Sequence, residues 1–229
     1  SLQLNLGNNK YHNISHQLDI AKTDWSWAGL IFDYNLDGNE DIFVTNGYRK
    51  YGSDNDSRIK INQTKLKYNN RVPLEMKKKL YSELPSEKLS NLLYKNEGDL
   101  NFSEVGEESN LMDPSFSNGA AYADLDNDGD LEIVVNNIDE NAFIYKNNSV
   151  ENNLGNYLTV KTNGNLSENF ARGTIYYENS YKTKESKRVR GYLSSVDNDL
   201  HFGIGSAIKI DSLVVEWSSG KKQVLYDIT

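Results

Sequence analysis

Two nine-residue stretches carry side chains from which a metal site could be built. DYNLDGNED, residues 33–41, and DLDNDGDLE, residues 124–132, place oxygen-bearing side chains at positions 1, 3, 5 and 9 and glycine at position 6. Calcium is a hard cation that takes six to eight oxygen ligands at about 2.3–2.6 Å, and a tight loop turns alternate side chains towards one centre. The glycine permits the sharp turn, and the carbonyl of position 7 adds a ligand. The expected ligands are Asp33, Asn35, Asp37, the Asn39 carbonyl and Asp41 in the first loop. In the second they are Asp124, Asp126, Asp128, the Asp130 carbonyl and Glu132. An EF-hand has a bidentate Glu at position 12 and flanking helices. Here position 12 is Val44 or Val135, each in strand-like sequence, so these are EF-hand-like loops between strands. Magnesium demands stricter octahedral geometry, which favours calcium, with two sites expected. The bland alternative is an acidic turn without a metal. Against it, three or four converging carboxylates with no cation would repel one another strongly.

Other residues invite a sharp and a bland reading. Trp25 and Trp27 in DWSWAG suit either sugar stacking or packing between repeats, and packing is favoured, since the repeat places Phe116 opposite Trp25. Tyr48 and Tyr51 open a long insertion, where binding residues tend to lie, so they are candidate ligand-binding residues, joined by Trp25 on its sugar-stacking reading. His201 in LHFGIG reads as a structural histidine. His12 and His16 lie on a strand–turn segment unsuited to zinc, and Asp197 and Asp199 lack the loop pattern. Lys182, Lys184, Lys187, Arg188 and Arg190 form a basic stretch, read as a solvated strand and turn that could dock an acidic face.

The loops belong to an internal repeat. LQLNLGNNKYHNI (2–14) aligns with LYKNEGDLNFSEV (93–105) at an offset of 91, and the same offset maps Asp33 onto Asp124, Gly38 onto Gly129 and Asn46 onto Asn137. The first full copy holds about 40 extra residues, leaving a repeat of about 51, near the length of a four-stranded propeller blade. Pro73 and Pro85 bracket a short helix in the insertion, about 48–90. Expected strands are 28–32, 42–45, 92–95, 119–123, 133–136 and 143–146. After a polar linker, 149–156, short strands at 157–161, 173–177, 188–192, 200–203, 211–217 and 223–226 suggest a small β-sandwich.

Composition bounds the reading. The 229 residues carry a net charge of −8 and no cysteine, so disulfides, thiolate metal sites and cysteine nucleophiles are excluded. An acidic surface repels a phosphate backbone, which argues against nucleic acid as a partner. No apolar run is long enough for a transmembrane helix. The chain opens at Ser1 in strand-like text and reads as a C-terminal fragment of a longer protein.

WAGLIFDYNLDGNEDIFVTNG with NLLYKNEGDLNFSEV, and GAAYADLDNDGDLEIVVNN, resemble FG-GAP/VCBS repeats. RGYLSSVDNDLHFGIG and VVEWSSGKKQVL resemble the UnbV/ASPIC domain that follows such repeats in cartilage acidic protein relatives and in exported proteins of Bacteroidetes-type bacteria. The resemblance implies an all-β chain: part of a β-propeller over 1–148, with calcium loops in its blades, and a C-terminal β domain over 157–229. It implies an extracytoplasmic location, in the periplasm, at the cell surface or secreted, with further blades in the parent chain. The expected function is a non-catalytic binding or scaffold module for a glycan or protein. No Ser–His–Asp order, Cys–His pair or phosphate loop supports catalysis, so an enzyme is not expected. The rival is a fragment of a propeller-type, calcium-dependent polysaccharide lyase or hydrolase, which would need an open coordination position.

Overall fold

The computed structural model describes residues 1–162 and 170–229. A small hairpin, β1 (Gln3–Asn5) with β2 (Tyr11–Asn13), precedes two larger antiparallel sheets. The first has the order β3 (Ser26–Phe32), β4 (Asp41–Asn46), β5 (Leu92–Gly98), β6 (Asn101–Glu104). The second has the order β7 (Ser117–Ala123), β8 (Glu132–Asn137), β9 (Phe143–Tyr145). Along β3, exposed and buried residues alternate, so Ala28, Leu30 and Phe32 point into a core. Phe43, Leu93, Ala120, Ile133 and Val135 complete it, and both sheets share it.

The repeat is visible in the pairing. In the first sheet Gly29 faces Val44 and Phe32 faces Asp41. In the second Ala120 faces Val135 and Ala123 faces Glu132, the same register displaced by 91 residues. The bulges coincide too, between Ser26 and Gly29 and between Ser117 and Ala120. Ile42 opposite Tyr94 matches Ile133 opposite Tyr145, so the extra residues of the first copy lie between β4 and β5.

Those residues form two helices rather than the one expected. The second, Leu74–Ser82, starts directly after Pro73, as the sequence suggested. The other, Asn55–Lys67, is capped by the Asp54 carboxylate accepting from the Ser57 amide at 2.8 Å. It buries no residue, so it carries no apolar stripe from which to read it. Lys60 and Glu83 join the helical segments at 2.7 Å, and the Tyr48–Glu87 bridge closes the base of the excursion.

The C-terminal domain is two sheets around one core. β10 (Asn156–Val160) pairs with β13 (Leu200–Gly205). The larger sheet has the order β12 (Ser180–Glu185), β11 (Ala171–Tyr177), β14 (Ile210–Trp217), β15 (Lys222–Ile228). Ile175, Leu200, Phe202, Leu213 and Val215 fill the space between them. One expected strand, 188–192, is corrected: only an isolated bridge, Val189 to Ser195, forms there, while β12 takes its place in the sheet. Among the described residues, no helix is long and apolar enough to cross a membrane.

Candidate metal centre

Each acidic loop connects the first two strands of its sheet, and the two loops share one backbone trace. Position 4 is left-handed in both, Leu36 at φ 60° and Asn127 at φ 62°. Position 6 is Gly38 at φ 93° and Gly129 at φ 104°, a conformation that L side chains rarely adopt. Residues at positions 5 and 7 form the same local bond: the Asn39 amide donates to Asp37 Oδ1 at 2.7 Å and the Asp130 amide to Asp128 Oδ1 at 3.1 Å.

The position-9 carboxylates brace the loops. Asp41 accepts from the Tyr34 amide (3.1 Å) and the Asn96 amide (2.8 Å). Glu132 accepts from the equivalent Leu125 (2.8 Å) and Asn147 (3.3 Å) amides. Both side chains thus tie the start of the loop to the end of the sheet's third strand. Each oxygen keeps a lone pair that could still face a cation.

At position 1, Asp33 is 1% exposed; Oδ2 accepts from the Gly38 amide at 2.8 Å, and Oδ1 is buried without a partner. Asp124 Oδ1, Asp128 Oδ2 and Asp130 Oδ1 are also buried and unpartnered. Buried polar atoms are almost always satisfied, so four orphaned carboxylate oxygens in two loops of this geometry fit an oxygen-seeking cation. Among the described residues, three carboxylates converge within 4.8 Å twice: Asp124, Asp126 and Asp128, and Asp128, Asp130 and Glu151. Two ligands of one calcium ion can stand no further apart than about that distance. Both groups are centred on the second loop, with Glu151 joining from outside it. The loop pattern gives Asp130 only its carbonyl and leaves Glu151 outside, so neither carboxylate is legible from the sequence. In the first loop, Asn35 Nδ2 donates to Asp37 Oδ2 at 2.9 Å.

Burial is the main reason that Asp33 is pushed up to about 7 and Asp41 to about 8, with neighbouring acids adding to it. Burial also raises Asp130 to about 6. A carboxyl whose folded pKa lies above its unfolded value binds more protons when folded. Its contribution to stability is present below the unfolded value, near 3.8, and is lost as pH rises through the folded one. The calcium-free protein should therefore lose thermal stability between about pH 4 and about pH 8, and saturating calcium should flatten that slope. Melts in EDTA that rise steadily across the window would contradict this.

The C-terminal domain packs on both loops. Leu36, fully buried, accepts at its carbonyl from the Gly205 amide at 2.9 Å. Lys182 Nζ donates to the Gly38 carbonyl and, at 3.0 Å, to Gly203 O. Lys184 pairs with Glu40 at 2.7 Å. The basic stretch thus docks an acidic face through these two lysines. At the second loop, His201 Nε2 lies 2.7 Å from the Gly129 carbonyl and the Tyr157 hydroxyl donates to Asp128 O at 3.2 Å. A carbonyl only accepts, so His201 carries its proton on Nε2. Its structural role agrees with the sequence reading.

Trp25, Tyr48 and Tyr51 come together elsewhere, with ring centroids 4.4, 5.5 and 5.8 Å apart. They line a cavity of about 180 Å³ with Asp24, Glu87 and Leu89. Trp27 is structural: its indole donates to Gly47 O at 2.8 Å and its ring meets Tyr192 at 4.9 Å.

The described geometry is that of an all-β protein with paired acidic loops set under a second β domain. Residues 165–229 of that domain match the protein family described as ASPIC and UnbV. No curated protein matches the chain.

Proposed function

We propose that the chain is a calcium-binding, extracytoplasmic repeat module that serves as a non-catalytic binding or scaffold protein. Residues 1–148 are FG-GAP/VCBS-type blades of a propeller completed by further blades of a parent chain, and calcium holds their loops rigid. The observation that carries the reading is the set of buried, unpartnered oxygens on Asp33, Asp124, Asp128 and Asp130 in loops of common backbone geometry. When bound, calcium supplies positive charge at the centre of each loop. The chain's own residues hold the loop shape, through the position-9 carboxylates and the contacts of the C-terminal domain. The cavity of Trp25, Tyr48 and Tyr51 is the candidate ligand site: aromatic faces with the Asp24 and Glu87 carboxylates at hand suit a glycan. Thermal melts in calcium and in excess EDTA test the metal reading. Binding to the folded state alone adds about 2.7 kcal/mol per site at 100 times Kd. A clear rise in midpoint with calcium is expected, and equal midpoints would refute the reading.

A further inference from the structure

The two loops receive different groups from the C-terminal domain at the same place. At the first, the position-6 carbonyl of Gly38 accepts from the Lys182 ammonium, which also donates to Gly203 O at 3.0 Å. At the second, the equivalent Gly129 carbonyl meets His201, a largely buried ring whose pKa burial holds below the ordinary histidine value, so it is neutral there. Lys182 is half-buried between the domains, and its charge acts on Asp33, Glu40 and Asp37. Lys184, two residues on, pairs with Glu40. The second loop also has a lysine nearby, Lys146, but that side chain is 56% exposed and shared between Asp126 (3.3 Å) and Glu151 (2.8 Å). Its charge is offset by Glu151 and screened by water.

We propose that Lys182 is a tethered counter-ion, supplied by the C-terminal domain, that weakens calcium binding at the first loop and leaves the second loop as the tighter site. This rests on the calcium reading above. A fixed positive charge at the rim of a partly buried site repels an incoming divalent ion far more than it would in bulk water. With no cation bound, the same charge balances Asp33 and Asp37 and keeps the domain seated on the loop. The carboxylates agree: three-fold convergence within 4.8 Å, among the described residues, occurs at the second loop.

Calorimetric titration of the intact chain with calcium tests this, the first-loop event being assigned as the one that survives in Asp128→Ala. Lys182→Met keeps the aliphatic stem and removes the charge; it should tighten the first-loop event about tenfold or more and leave the second unchanged. Lys182→Gln removes the charge but keeps a donor for Gly38, so it serves if the Met variant folds poorly, with the same tightening expected. Lys182→Arg keeps the charge and should show no such tightening. First-loop affinity that is unchanged or weaker in both neutral variants overturns the proposal and leaves the calcium reading intact. A wild-type chain that takes up no calcium overturns both.

Discussion

Replacing Gly203 by alanine should lower the melting midpoint by about 6–12 °C, which for a chain of this size corresponds to about 3 kcal/mol. Gly203 lies in β13, where the C-terminal domain crosses the first loop. A Cβ added there would stand 1.9 Å from Asp33 Oδ2, 2.7 Å from its Cγ and 3.0 Å from the Leu36 Cα. None of these atoms can yield cheaply. Asp33 is buried and held by the Gly38 amide, and Leu36 is a fully buried backbone corner in the left-handed region. Inserting a methyl group into such a place forces the strand off the loop. Gly52→Ala is the control, since a Cβ there meets nothing within 4 Å, and its midpoint should not move. A Gly203→Ala chain as stable as wild type would mean that the domain does not seat on the loop as described.

The second large effect concerns the ligands. Asp128→Ala should weaken the tighter calcium event by about 100-fold or more, close to 2.7 kcal/mol, and Asp37→Ala should remove the weaker one. Asp128 belongs to both three-carboxylate groups, so its loss leaves neither complete. Side-chain carboxylates at the ligand positions are Asp33, Asp37 and Asp41 in the first loop, and Asp124, Asp126, Asp128 and Glu132 in the second. Affinity in such loops follows ligand charge and rigidity. Glu132 is one methylene longer than Asp41, yet it reaches the same two kinds of backbone amide, so its length does not spoil the brace. Calorimetry of the two variants separates the events, and the reverse assignment would show that geometry outweighs charge.

Much of the fold was legible in the sequence because the signals are local and duplicated. An offset of 91 that aligns Asp33 with Asp124 and Gly38 with Gly129 also predicts identical strand registers, and the pairing shows them. Pro73 marked a helix start because proline suits that position. The helix at Asn55–Lys67 was not legible, since it packs no apolar face and is held by its cap and surface pairs. β12 was half legible: the basic stretch from Lys182 reads as a solvated strand and turn, but nothing local assigns it to the sheet in place of 188–192. The alternation of Lys182 and Lys184 aims two ammonium groups at Gly38 and Glu40, more than 140 residues away in sequence, which no local signal could specify. Glu151 likewise becomes a neighbour of Asp128 and Asp130 only through the path of the chain after β9. The gathering of Trp25, Tyr48 and Tyr51 was only partly legible: Tyr48 and Tyr51 open the insertion, but Trp25 precedes the first strand and reads as packing, and only the folded chain closes a cavity around all three.

The central claim is that both loops hold calcium, and equilibrium dialysis of the intact chain against calcium, with magnesium in excess as competitor, tests it most directly. The account predicts two calcium ions per chain, falling to one in Asp128→Ala. Dialysis that leaves the wild-type chain with no bound calcium would contradict it.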